Sequence, residues 1–137
     1  MKAYVLDTSA LIRYYVPDGP IPDRLDDIVD QAWHGDVLLL VPELAMVEAA
    51  QVLLKKQQAN YLTSDEATDI LESIMNLPLE TRPHRDLIEL AYGLAWKLKL
   101  TVYDAIFLAL ARKHGADLVT ADQQLKKAWE SRGKRDT

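Results

Sequence analysis

At 137 residues the chain has the length of one ordinary domain. A domain of that size buries about two-thirds of its unfolded surface and needs no disulfide or structural metal. It has no cysteine, which excludes disulfides, thiolate metal sites and a cysteine nucleophile and suits the cytoplasm. The net charge of −5, from 16 bases and 21 acids, argues against a generic nucleic-acid binder, which carries a basic excess.

The N-terminal apolar run is broken at Asp7 and again at Arg13, so neither a signal peptide nor a membrane span is expected there. Ala3–Leu6 reads as a first strand and Ala10–Tyr15 as a short helix. Pro17, Gly19, Pro20 and Pro22 mark a loop. Leu25, Ile28, Val29, Ala32 and Trp33 keep helical spacing within an acidic segment. Val37–Val41 is a second strand ended by Pro42, and a long helix is expected over Glu43–Gln58. Ser64 opens another helix, with Glu66 in its first turn, reaching Met75. Leu77–Glu80 is a candidate third strand. Arg85–Leu98 is amphipathic, whereas Tyr103–His114 is apolar almost all round and should be buried, with Gly115 placed to stop it. Leu118–Thr120 is a fourth strand and Gln123–Glu130 a closing helix. Alternation of short apolar runs with helices predicts βαβ units, a parallel sheet and a single doubly wound α/β domain over residues 1–137.

Four acids stand at positions this pattern does not require. Asp7 follows the first strand directly and Asp122 lies just beyond the fourth, so both face one crevice if those strands are neighbours. Glu48 has Leu44, Ala45, Gln51 and Val52 at helical offsets, which places it on or beside a buried stripe. Asp104 has Phe107 and Leu108 at the matching offsets. A buried carboxylate must be paired, metal-bound or protonated. Helix capping explains Asp7 and Asp122, and a capping box from Thr101 explains Asp104. Glu48 lies too far inside its helix to cap anything.

The segments Val5-Leu6-Asp7-Thr8-Ser9-Ala10-Leu11, Pro42-Glu43-Leu44-Ala45-Met46-Val47-Glu48, Tyr103-Asp104-Ala105-Ile106-Phe107-Leu108 and Leu118-Val119-Thr120-Ala121-Asp122 resemble the four motifs of the PIN domain. The likeness is greatest to VapC-type toxins of prokaryotic toxin–antitoxin pairs and covers nearly the whole chain. It implies a three-layer, Rossmann-like fold with a parallel sheet of four to five strands. It also implies an acidic site of Asp7, Glu48, Asp104 and Asp122, with Thr8, Ser9 and Thr120 orienting carboxylates or waters. A homodimer and a small antitoxin that blocks the site follow from the family. The polar, basic Ser131–Thr137 departs from the family's fifth strand.

Oxygen-only donors select Mg²⁺ or Mn²⁺. His34, His84 and His114 are dispersed and read as surface or structural. The expected activity is metal-dependent hydrolysis of single-stranded or loop RNA by in-line water attack. RNA also needs cations. Arg13, Lys55, Lys56, Arg112, Lys113 and the basic tail are candidates, with Tyr14, Tyr15 and Tyr103 as stacking surfaces. Trp33, Leu53 and Leu54 could form either interface or core. A PIN-like module that binds RNA or protein without cutting is the alternative. A phospho-acceptor receiver lacks its acidic pair and late lysine here, and a dinucleotide site lacks its Gly-rich turn.

Overall fold

The computed structural model describes residues 1–135, with side chains described as far as Ser131. Four strands, β1 (Lys2–Leu6), β2 (Val37–Pro42), β3 (Leu79–Arg82) and β4 (Asp117–Val119), form a parallel sheet in the order β3-β2-β1-β4. Seven helices connect and follow them: α1 (Thr8–Tyr15), α2 (Leu25–Trp33), α3 (Leu44–Gln58), α4 (Ser64–Met75), α5 (Ile88–Leu98), α6 (Val102–His114) and α7 (Gln123–Arg135).

The layers follow from the strand sequences. Successive strand residues point to opposite faces, so a run buried at every position is covered on both sides. Tyr4, Val5 and Leu6 are all buried, as are Leu39, Leu40 and Val41. The path from β1 through β2 to β3 runs one way across the sheet, and the connection to β4 returns past β1. Right-handed crossovers therefore place α1–α4 on one face and α5–α6 on the other. Buried Ala105–Ala111 of α6 packs on β1 and β2, as its all-round apolar pattern requires. Gly115 ends α6 at φ 59°, in the left-handed conformation that glycine adopts without strain.

Element boundaries shift where local chemistry outweighs periodicity. α1 begins at Thr8 rather than Ala10, because Asp7 supplies the cap. β2 includes Pro42, and α3 starts after Glu43. β3 lies two residues beyond the expected strand; Leu77 instead enters the core, 8% exposed. A 3-10 turn, Arg85–Leu87, replaces the first turn expected of α5. β4 ends at Val119, which leaves Thr120 beyond the strand. α7 continues to Arg135, through most of the stretch where a fifth strand would fall, and the sheet among the described residues has four strands. Of the basic tail, residues 126–137, positions 132–137 lie outside the described side chains. Among the described residues, no helix is long and apolar enough to cross a membrane.

Candidate active site

β2 and β4 flank β1 on opposite sides, so the sheet reverses winding between β1 and β4 and opens a crevice beyond their carboxyl ends. Asp7 N donates to Val119 O at 3.2 Å, which carries the β1–β4 pairing one residue past β1. The condition for Asp7 and Asp122 to share a crevice is thereby met.

Asp7 is 4% exposed. Its Oδ1 accepts from Ala10 N at 2.9 Å and from the Ser9 hydroxyl at 2.7 Å, and its Oδ2 accepts from the Thr120 hydroxyl at 2.6 Å. It is a true N-cap of α1. These three donors do not offset its burial, which, with a smaller contribution from the Asp104 charge, pushes the carboxyl up to about 6. A cap at a solvated helix end carries no such cost. Ser9 Oγ also accepts from Ala121 N at 2.9 Å, and Thr120 Oγ1 accepts from Asp122 N at 3.0 Å. The two hydroxyls thus tie the end of β4 to the start of α1.

Glu48, on α3, is half-buried and accepts from the Thr8 hydroxyl at 2.8 Å. Burial raises its pKa, the Thr8 bond opposes that rise, and Asp104 adds to it. Asp104 lies in the first turn of α6, where its backbone N–H donates to Thr101 Oγ1 at 3.1 Å. Burial and the neighbouring Asp122 raise its pKa against the Thr101 hydroxyl. Asp122 is exposed, and its Oδ1 accepts from Leu125 N at 3.0 Å, so it also caps α7. Asp104 is the electrostatic hub: its charge disfavours ionisation of Asp7 and Glu48, and that of Asp122 disfavours its own.

The four acids, Thr8 and Ser9 line one cleft of about 430 Å³ with Ile12, Val52 and Phe107 as apolar wall. Thr120 reaches it through Asp7. Of the candidate cations, Arg13 and Lys56 line the cleft and both pair with Asp18. Lys55 is exposed and is not among the lining residues. Arg112 and Lys113 lie at the opposite end of α6, at least roughly 12 Å along the axis from Asp104 at about 1.5 Å per residue. Tyr14 and Tyr15 pack edge-on at 5.0 Å, whereas Tyr103, beside Asp104, is 60% exposed. Leu53 is core, and Trp33 and Leu54 are exposed. No histidine lines the cleft. Sequence reading missed Asp18, which had no signal beyond membership of an acidic stretch.

Oxygen donors from four carboxylates fit a hard divalent cation, as do the burial and, to a smaller extent, the mutual repulsion that raise three of their pKa values. Among the described residues no three of them already meet at one ion-binding point, so the fit is in donor type and charge.

The PIN domain family model matches residues 4–130. Ribonuclease VapC3 of Pyrobaculum aerophilum is 35% identical over 123 residues, spanning 88% of this chain and 90% of that protein. Among solved structures, PAE2754 of the same organism superposes with a TM-score of 0.72 at 22% identity, covering 93% of this chain and 79% of that one. VapBC2 of Rickettsia felis, bound to a DNA fragment from its promoter, gives 0.67 at 16% identity, with 92% of each chain covered. VapC20 of Mycobacterium tuberculosis, a toxin that cleaves the Sarcin-Ricin loop, gives 0.63 at 16% identity, covering 91% and 94%. At these identities the structural likenesses establish the fold.

Proposed function

We propose that this chain, which belongs to the PIN domain family, is a Mg²⁺- or Mn²⁺-dependent endoribonuclease that acts as the toxin of a VapBC-type pair. The observation that carries this reading is the convergence of Asp7, Glu48, Asp104 and Asp122 on one cleft at the winding switch of the sheet, with Asp7 buried and, among the described residues, paired with no cation. The family membership and the 35% identity to Ribonuclease VapC3 support the same activity.

Asp7, Asp104 and Asp122 would hold the ion, with Glu48 as a further ligand, directly or through water. An ion held there would supply a water of lowered pKa and offset charge developing on the phosphate and the leaving oxygen. The chain's own groups do the positioning. Ser9, Thr120 and the amide of Ala10 fix both oxygens of Asp7. Thr8 fixes one oxygen of Glu48, which leaves the other to orient the attacking water or take up its proton. Ile12, Val52 and Phe107 limit access of bulk water on one side. Arg13, with Lys56, supplies the cationic charge that the acids cannot offer to an RNA backbone.

Further elements of the proposal are an antitoxin that covers the cleft, a homodimer, residues 1–137 acting as one domain, and a cytoplasmic location. The exposed Trp33 and Leu54 suit an interface, and Leu53 does not. Cleavage of single-stranded RNA should require Mg²⁺ or Mn²⁺ and disappear with a chelator. Cleavage that persists under chelation would reject the metal-dependent reading, and RNA binding without cleavage would assign a non-catalytic module. Thr120→Ala should weaken Mn²⁺ binding about 10–100-fold, the usual cost of losing a group that orients a ligand. Calorimetric titration checks this, and an unchanged affinity would make the hydroxyl dispensable.

A further inference from the structure

Asp18, in the loop between α1 and α2, faces two cations at the cleft. Its Oδ2 accepts from Lys56 Nζ at 2.8 Å, and its Oδ1 lies 3.4 Å from Arg13 Nε. The side chains of Arg13, Lys56 and Asp18 are only 19%, 23% and 25% exposed. Arg13 also donates to Pro20 O at 2.6 Å, and its guanidinium lies against Gly19, where a Cβ would collide with it. Lys56 Nζ lies 5.1 Å from the centre of the Tyr61 ring. The hydrogen bond from Lys56 holds the Asp18 carboxyl below its usual range.

This arrangement has the form of an occupied anion seat. A carboxylate offers two oxygens to an ammonium and a guanidinium, as a phosphodiester offers its two non-bridging oxygens. Arg13 and Lys56 are the cations lining a cleft whose other charged groups are acids. Two cations against one carboxylate leave a local charge of about +1, and partly solvated pairs of this kind are worth only about 0–1 kcal/mol each. An incoming phosphate can therefore replace Asp18 at little cost.

We propose that Arg13 and Lys56 form a seat for an RNA backbone phosphate next to the scissile one, and that Asp18 fills this seat in the free protein and leaves it when RNA binds. The nature of the ligand rests on the ribonuclease reading; the seat itself rests on the geometry. Asp18 then lowers RNA affinity, and the loop that carries it must move on binding.

Binding measured apart from cleavage tests this. Fluorescence anisotropy with a labelled 12-nucleotide single-stranded RNA, with Ca²⁺ in place of Mg²⁺, should show Asp18→Asn binding about two- to fivefold tighter than wild type, the scale of one such ion pair. Adding Lys56→Met or Arg13→Gln to Asp18→Asn should cancel the gain. Equal or weaker binding by Asp18→Asn, or a gain that survives loss of either cation, would overturn the proposal. Should the protein neither bind nor cut RNA, the ribonuclease reading fails, and inorganic phosphate becomes the deciding probe. Asp18→Asn should then shift the Arg13 Nε–H resonance at lower phosphate concentrations than wild type does, and no such shift would overturn the seat. An ion pair worth about 0–1 kcal/mol leaves the fold intact when removed, so Asp18→Asn is a usable variant.

Discussion

Replacing Asp7 by Asn should lower RNA cleavage by at least about 10³-fold, the scale seen when one member of a group acting as a unit is removed. The same change should leave the folded protein as stable as wild type or more so. Both expectations come from one environment. Asn retains an oxygen for the Ala10 amide and is as good an N-cap as Asp. Its amide can donate to Thr120 Oγ1, which the carboxylate instead accepts from. Asn carries no charge to bury and none for Asp104 to repel, and those are the two causes that push Asp7 up to about 6. If Asp7 were a cap and nothing more, the substitution would be silent in a cleavage assay. Divalent cations should raise the melting temperature of the wild type and have much less effect on the variant, because ion binding to the native state is itself stabilising. Cleavage within tenfold of wild type would return Asp7 to a purely structural role.

The second large effect is on stability against pH in the chelated protein. The folded chain keeps a proton on Asp7 up to about pH 6, whereas the unfolded chain releases it near 3.8. Between those values the native state binds more protons than the unfolded state, so the stability of unfolding falls as pH rises. The stability is present below the unfolded value and lost once pH has passed the folded one. A shift of this size corresponds to about 3 kcal/mol at about 1.4 kcal/mol per pKa unit. Glu48 and Asp104 are shifted in the same direction and add to the fall. Asp18 and Glu66 are shifted the other way and oppose it. The clean measurement is therefore the stability difference between Asp7→Asn and wild type from pH 4 to pH 7.5 by urea unfolding. The difference should grow in favour of the variant as pH rises. A difference independent of pH would mean that Asp7 is no more costly to ionise in the fold than in the unfolded chain. Saturating Mg²⁺ should reverse the trend, because the ion binds the deprotonated carboxylates.

These two expectations change the standing of the four acids. Asp7 and Asp122 do cap helices, and each also lines the cleft. Asp104 donates its backbone amide to Thr101, whose hydroxyl also lowers its carboxyl pKa, and its carboxylate lines the cleft. Capping and a place in the cleft therefore coexist, because a helix N-terminus beyond a strand's carboxyl end is where this topology opens its crevice. Glu48, which no cap explains, proves to be held by Thr8, a residue 40 positions away.

Much was legible in one dimension because its physics is local. Apolar periodicity located the seven helices and three of the four strands and came within two residues of β3, and the unbroken apolar face of α6 announced its burial. The four acids were visible as polar residues out of place in that pattern, and the oxygen-only donor set already pointed to a hard cation. What the tertiary structure alone decided is what depends on order and direction in space. Placement of β4 beside β1 brings Asp122 and Thr120 to Asp7, 113 positions from Thr120. The length of α6 carries Arg112 and Lys113 away from the cleft, while one turn of α3 brings Lys56 into it and leaves Lys55 outside. Asp18 in particular is one of six acids within residues 17–36; only the fold sets it between two cations at the mouth of the cleft. Helix and strand patterns are written by neighbours a few residues apart, whereas charge pairing across loops is settled by packing that no local pattern encodes.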